Sequence, residues 1–326
     1  MKATAVAPSN IAFIKYWGKA DDVLRLPLNS SLSMNLSNAY TTTTIEFSSF
    51  YKEDDVILLD GTFSPNEIAR VILGLDRIRK RADVQLRARV VTSNTFPKGT
   101  GAAASASGFA ALTVAGFAAL GLTLSEKELT VFARMGSGSA CRSIPDGFVL
   151  WEQGNSSDTS YAYSLYPNTY WDLYDILVIV DTTMKKVSTT EGQEGVKTSP
   201  FWHARVQGIP EKIERMKTAL REKNFSLLGE IIEEDCLSMH KVMQTQNPPI
   251  FYWNDATQKL MKIVKEWRNE GILVYFTIDA GPNIHLICEK PTVETLKKKF
   301  SEIEEVKNII VNTSAPGTHL IDDHLF

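Results

Sequence analysis

Residues 93–112, SNTFPKGTGAAASASGFAAL, run from an alternating strand pattern through a glycine loop into a segment that is apolar on nearly every side. A helix with no polar face persists in water only when other elements cover it all round. The continuation SGFAALTVAGFAALGL therefore predicts a buried helix, and a buried helix needs neighbours large enough to enclose it. Gly99 and Gly101 permit positive φ in the loop, and Ser105 and Ser107 stand where the helix opens. The free N–H groups of a helix start carry about half a positive charge and attract anions. These residues alone leave two readings open, a phosphate-cradling loop or an Ala-rich core helix with a glycine entry.

The 326 residues are enough for two domains, and 44% hydrophobic with 22% charged residues suits a globular protein with a substantial core. A net charge of −3 offers no overall basic footprint for nucleic acid. No stretch approaches the roughly 18 apolar residues of a membrane span, and MKATAVAPSNIAF lacks the features of a signal peptide. Cys141, Cys236 and Cys288 lie far apart and predict reduced thiols in a cytoplasmic protein rather than a metal pair or disulfide framework. FSPNEIARVILGLDRIRKRA reads as a helix with Pro near its start, and VQLRARVVTS as a half-buried strand. Ser125 with Glu128 three residues later predicts a capped helix that stops near Gly136. WDLYDILVIVD reads as a central strand, 208–243 and 254–270 as long helices, and ILVYFTID and IHLICE as strands joined at AGPN. The division we expect is 1–180 for an N-terminal domain and 181–326 for a C-terminal one.

Four clusters bear chemistry. Lys15 and Lys19 flank Tyr16 and Trp17 in SNIAFIKYWGK, which is either an anion-binding pair or two exposed lysines beside core aromatics. GSGSACRS, Gly136–Ser143, gathers three hydroxyls and Arg142 where a helix ends, either for an anion or for a tight turn. The glycine loop is the third. The fourth is TIDAGPN, where Asp279 ends an apolar strand as a buried carboxylate or an Asx-turn former. Together they assemble the cations and glycine-lined anion sites that a substrate with phosphate and carboxylate groups requires.

NIAFIKYWGK, LNSSLSMNLS, KKVSTTEG, SGSACRSIPDGFVLWEQG, NPPIFYWND and FTIDAGPN together resemble the diphosphomevalonate decarboxylase family, of the galactokinase, homoserine kinase, mevalonate kinase and phosphomevalonate kinase superfamily. The resemblance implies an α+β fold: a ribosomal-protein-S5-type N-terminal domain, a ferredoxin-like C-terminal domain, and a homodimer. It implies a two-step reaction in which ATP phosphorylates a tertiary 3-hydroxyl and the 3-phosphate then leaves as CO2 is lost. By motif, Asp279, Arg142 and Lys15 correspond to the catalytic centre. Tyr16, Lys19, Ser137, Ser139 and Thr190 correspond to residues at the 5-phosphate end.

The glycine loop departs from the family. PKGTGAAASASG has Ala102 where Leu is usual, Ala104 where the first Ser is usual, and Lys98 where a small residue is usual. Gln193 stands where the family commonly has Met. A hydroxyl lost at a phosphate costs roughly 1.5–3 kcal/mol. The loop at Lys98, Gly99, Gly101, Ser105 and Ser107 thus reads as vestigial beside an intact decarboxylation centre. The pattern resembles the archaeal mevalonate 3,5-bisphosphate decarboxylases, so the expectation is release of isopentenyl phosphate, CO2 and phosphate with no cofactor and no metal. The alternative is an ATP- and Mg2+-dependent decarboxylase of diphosphomevalonate or 5-phosphomevalonate.

Overall fold

The structure is a computed structural model that describes residues 1–96, 104–183 and 187–326. Among these, seven strands make the first sheet. β1 (Lys2–Ile14) lies beside β4 (Ser31–Ser48), between them a small hairpin of β2 (Lys19–Asp21) and β3 (Leu26–Pro27). β4 also pairs with β6 (Arg87–Asn94), which runs parallel to β5 (Asp55–Leu58). The near end of β4 pairs with β7 (Phe148–Trp151), and β7 with β8 (Ala162–Tyr166). β1 carries register shifts at Pro8/Asn10 and Ala12/Ile14. Such irregularities re-aim a strand end, and the second lies one residue before Lys15.

The face of this sheet that carries Ala5, Ile45 and Phe47 is covered by α1 (Pro65–Ala82), α2 (Ala104–Ala119) and α3 (Glu126–Gly136). α2 is enclosed as its composition demands, with Ala106, Ala110, Ala111, Ala115 and Phe117 all buried. Capping boxes at Ser64/Glu67 and Ser125/Glu128 start α1 and α3 where the sequence places them.

The second sheet has four strands, ordered β10 (Val274–Thr277), β11 (Ile284–Glu289), β9 (Leu173–Ile179), β12 (Asn308–Thr313). One face packs on α7 (Asp255–Asn269) and α8 (Val293–Ser301). The chain order β9–α7–β10–β11–α8–β12 in that spatial order is the ferredoxin-like split βαβ. Its other face shares a core with β1 and β4 and with two helices, α5 (Trp202–Glu222) and α6 (Phe225–Thr245). β9 is central, as its apolar run predicts, but its partners all belong to this second sheet although it precedes residue 181. The helix expected over 208–243 is two helices. Lys223 takes a left-handed conformation (φ 50°), and Asn224 caps α6 by accepting from the Leu227 N–H. β13 (His319–Ile321) returns to pair with β1. All three cysteines are free and buried. No helix among the described residues is long and apolar enough to cross a membrane.

Candidate active site

Lys15 follows β1 and is buried, against the exposed-pair reading. Its Nζ donates to Asp279 Oδ1 at 2.5 Å. Asp279 ends the β10 edge of the second sheet, so this contact closes the two halves of the chain on each other. The backbone of Lys15 is held as firmly as its side chain. Its N–H donates to Asp235 Oδ2 at 2.7 Å, and its carbonyl accepts from Asn29 Nδ2 (3.0 Å) and Arg205 Nη2 (3.2 Å). Arg205 and Asp235 form a buried two-pronged pair at 2.9 and 3.0 Å.

Arg142 lies in a 3₁₀ turn, Gly138–Ser143, that continues from α3. It is 3% exposed. Nη1 donates to Ser31 Oγ (2.6 Å), Nη2 donates to Asn10 Oδ1 (3.2 Å), and Nε is buried without a partner among the described residues. Both of those acceptors are neutral. Asn10 also fixes the turn, donating to Ser143 Oγ (2.9 Å) and the Ser139 carbonyl (3.2 Å). Tyr16 packs on Trp151 with centroids 4.7 Å apart, and its ring lies against Gly138 so closely that a Cβ there would meet it at 2.6 Å. The glycine is needed for that approach.

Ser137 Oγ lies 3.1 Å from Ser105 Oγ, which joins this turn to the start of α2. Ser105 is exposed, and α2 has no acidic residue in its first turn. Ser107 is fully buried and hydrogen-bonded to Thr41 Oγ1 at 2.7 Å, so it ties α2 to β4 instead of facing an anion. Lys98, Gly99, Gly101 and Ala102 lie outside the described residues. Lys19 is ion-paired with exposed Asp22 in the β2–β3 hairpin. Thr190 lies on α4 (Thr189–Gly192), capped by Ser188, and Gly192 packs on Trp17 and Tyr252; buried Gln193 follows. The structure thus brings Lys15, Asp279, Tyr16, Arg142, Ser137, Ser139 and Ser105 into one connected region, with Lys19 and Thr190 on the flanking hairpin and helix.

Sequence reasoning missed the supports: Asn10, Asn29, Ser31, Arg205, Asp235, Cys236 and His240. Asp235 and His240 lie in a long helical pattern where a charge reads as a solvated face, and no spacing marks them as buried.

Burial alone would raise the Asp279 carboxyl, but Lys15, then His285 and Arg142, outweigh it and hold it below the usual carboxylate range. Burial lowers the proton affinity of Arg142. Burial pushes the Tyr16 phenol well up, so that it stays a neutral donor. The cluster pairs one ionised carboxylate with a lysine and adds a buried guanidinium that faces no carboxylate ion pair among the described residues. An incoming carboxylate fits such a guanidinium.

The chain matches two family models, the diphosphomevalonate decarboxylase-like N-terminal domain over residues 7–162 and the mevalonate 5-diphosphate decarboxylase C-terminal domain over 176–320. It is 38% identical over 299 residues to the diphosphomevalonate decarboxylase of Candida albicans, covering 86% of this chain and 82% of that one. Among solved structures it is similar to MDDEF in complex with MVAPP, AMPPCP and magnesium, with 38% identity, a TM-score of 0.93 and 99% of both chains covered. A structure concerning mevalonate diphosphate mediated ATP binding by the mevalonate diphosphate decarboxylase of Enterococcus faecalis matches at 38% identity, TM-score 0.92, over 99% of both chains. The α+β fold of two parts is therefore as expected. The expectation of an archaeal, bisphosphate-specific type without a cofactor is corrected. The relatives are eukaryotic and bacterial and are named for the diphosphate, and the first of these structures holds the ATP analogue AMPPCP with magnesium. The physical reason lies in counting hydroxyls. A helix start binds phosphate through backbone N–H groups, whatever the side chains. Ser105 remains exposed there, and Ala104 packs its methyl on the core.

Proposed function

This chain belongs to the diphosphomevalonate decarboxylase family, and we propose that it converts diphosphomevalonate to isopentenyl diphosphate, CO2 and phosphate with ATP and magnesium. The observation that carries this reading is Arg142, a buried cation whose acceptors among the described residues, Ser31 and Asn10, are neutral, beside the Lys15–Asp279 pair. The residues fit the nucleotide. The α2 start, with exposed Ser105 and no acid in its first turn, would hold its phosphates. No group of three His, Cys, Asp or Glu residues gathers among the described residues, which suits a magnesium held chiefly by phosphates and water. When bound, ATP supplies the phosphoryl group that turns the tertiary 3-hydroxyl into a good leaving group.

The chain's own residues do the rest. Arg142 grips the substrate carboxylate and aligns the carbon–carbon bond that breaks with the carbon–oxygen bond that breaks. Phosphate departs with the carbon–oxygen electron pair, positive charge develops at C3, and the carbon–carbon pair released as CO2 leaves becomes the new double bond. Asp279 is held ionised, which makes it a weak base but a strong fixed negative charge for that centre. Lys15 orients Asp279 and offsets charge on the departing phosphate. Tyr16, Lys19, Ser137, Ser139 and Thr190 bind the 5-diphosphate end. A homodimer belongs to the same reading and is checked by sedimentation equilibrium.

The test is CO2 release from purified protein and diphosphomevalonate, with and without ATP and magnesium. Nucleotide-dependent release with one ADP per CO2 is expected. Release from 3,5-bisphosphomevalonate without nucleotide, and none from the diphosphate, overturns it.

A further inference from the structure

The two charged residues that meet at the site come from opposite halves of the chain, and α6 touches the backbone behind each of them. On one side of α6, Asp235 accepts from the Lys15 N–H at 2.7 Å and is locked by Arg205, which itself donates to the Lys15 carbonyl. On another side, Cys236 Sγ accepts from the Ile278 N–H at 3.2 Å, and His240 Nε2 donates to the Ile278 carbonyl at 3.1 Å. Ile278 immediately precedes Asp279. One turn earlier, Glu233 accepts from the Phe276 N–H at 3.1 Å while paired with Arg268.

The helix period explains the division of labour. At about 100° per residue, Cys236 and His240 share a face, and Asp235 points to the next one. β10 is the edge strand of its sheet, so its outer N–H and C=O groups lack a strand partner. Side chains of α6 occupy that row instead. The approach is close enough that a Cβ on Gly229 would meet the Tyr275 ring of β10 at 2.0 Å. His240 is 1% exposed and packs against Trp253 with tilted rings and centroids 4.4 Å apart, and burial holds it neutral with its Nε2–H on the carbonyl.

We propose that α6 is the common mounting of Lys15 and Asp279, with Asp235 and His240 as positioning residues that set the Lys15–Asp279 geometry for decarboxylation. The reaction named here rests on the function proposed above; the mounting itself does not. A shift of the Ile278 backbone moves Asp279 relative to Lys15 without touching the groups that bind the 5-diphosphate. Turnover then falls while substrate affinity stays.

The experiment compares the full-length protein with His240→Leu, His240→Gln and Arg205→Lys. Steady-state rates with diphosphomevalonate and ATP are measured beside amide hydrogen exchange at Lys15 and Ile278. His240→Leu is expected to lower kcat by about tenfold or more, the scale of small misplacements in a site, with KM changed by less than about threefold. His240→Gln, which keeps an N–H donor, recovers most of the rate. Exchange rises at Ile278 in His240→Leu and at Lys15 in Arg205→Lys, the second variant serving where the first does not fold. Equal rates for Leu and Gln in folded protein, a loss confined to KM, or unchanged exchange at both amides overturns the proposal. A wild type that leaves the diphosphate untouched sinks the proposed reaction instead, and the exchange data then decide on the mounting.

Discussion

Asp279 keeps its charge against the pull of burial because Lys15, with Arg142 behind it, outweighs that burial, and this decides what it can do. A carboxyl that gives up its proton easily takes one back poorly, so its value lies in fixed charge. Asp279→Asn preserves size and removes that charge. Turnover should fall by about a hundredfold, the scale of one preorganised electrostatic group, with a melting curve that shows the fold intact. Arg142 differs in kind. Two of its donor nitrogens are taken by Ser31 and Asn10, and its Nε is buried with no hydrogen-bond partner among the described residues. Arg142→Lys offers a point charge where a planar fork is seated. Single-turnover measurements should show the CO2-forming step slowed more than substrate binding is weakened; small, equal changes in both would refute the forked grip.

At the scale of elements, α2 separates two serines that look alike in the sequence. Ser105 is exposed at the helix start, whereas Ser107 turns inward to Thr41. Ser105→Ala should raise KM for ATP by about tenfold, as expected for a hydrogen bond to a charged group, and leave stability nearly unchanged. Ser107→Ala should cost about 1 kcal/mol in urea denaturation and change KM for ATP by less than about twofold. The opposite pattern would place Ser107 at the phosphate. The 3₁₀ turn is the second element with a double duty. Its glycine admits the Tyr16 ring, its arginine meets the site, and Ser137 reaches across to Ser105.

At the scale of the whole molecule, the buried polar groups between the halves make stability depend on pH. Burial, aided by the charges of Lys15 and Arg205, lowers the His240 imidazole to about 3. The unfolded chain therefore binds a proton at this residue below about pH 6.5 that the folded chain refuses. This term leaves stability unaffected above that pH. Below it, stability falls by about 1.4 kcal/mol per unit until the folded ring protonates near pH 3. Asp235 acts lower down. Burial would raise it, but Arg205 outweighs burial and depresses it, so its contribution is present above about pH 4 and lost beneath. Urea titrations at pH 7, 5.5 and 4.5 should show a shallower decline for His240→Gln than for the wild type. Parallel declines would mean that His240 is not held neutral.

Local signals carried far in this chain. The apolar run after the glycine loop requires an enclosed helix, Ser64 and Ser125 with their glutamates require helix starts, and the apolar run of 176–180 requires a central strand; each depends on residues close together in sequence. The motifs around Lys15, Arg142 and Asp279 named the family for the same reason. The expectation of no cofactor fails, because a hydroxyl count says nothing about which serine faces outward or about backbone N–H groups. Nor is it written in local pattern that β9 leaves the first half to pair with strands a hundred residues on, or that Asp235 and His240 of one amphipathic helix hold two distant backbones. A buried charge and a solvated one have the same one-dimensional signature. Only the tertiary structure chooses between them, through the partners it brings within about 3 Å.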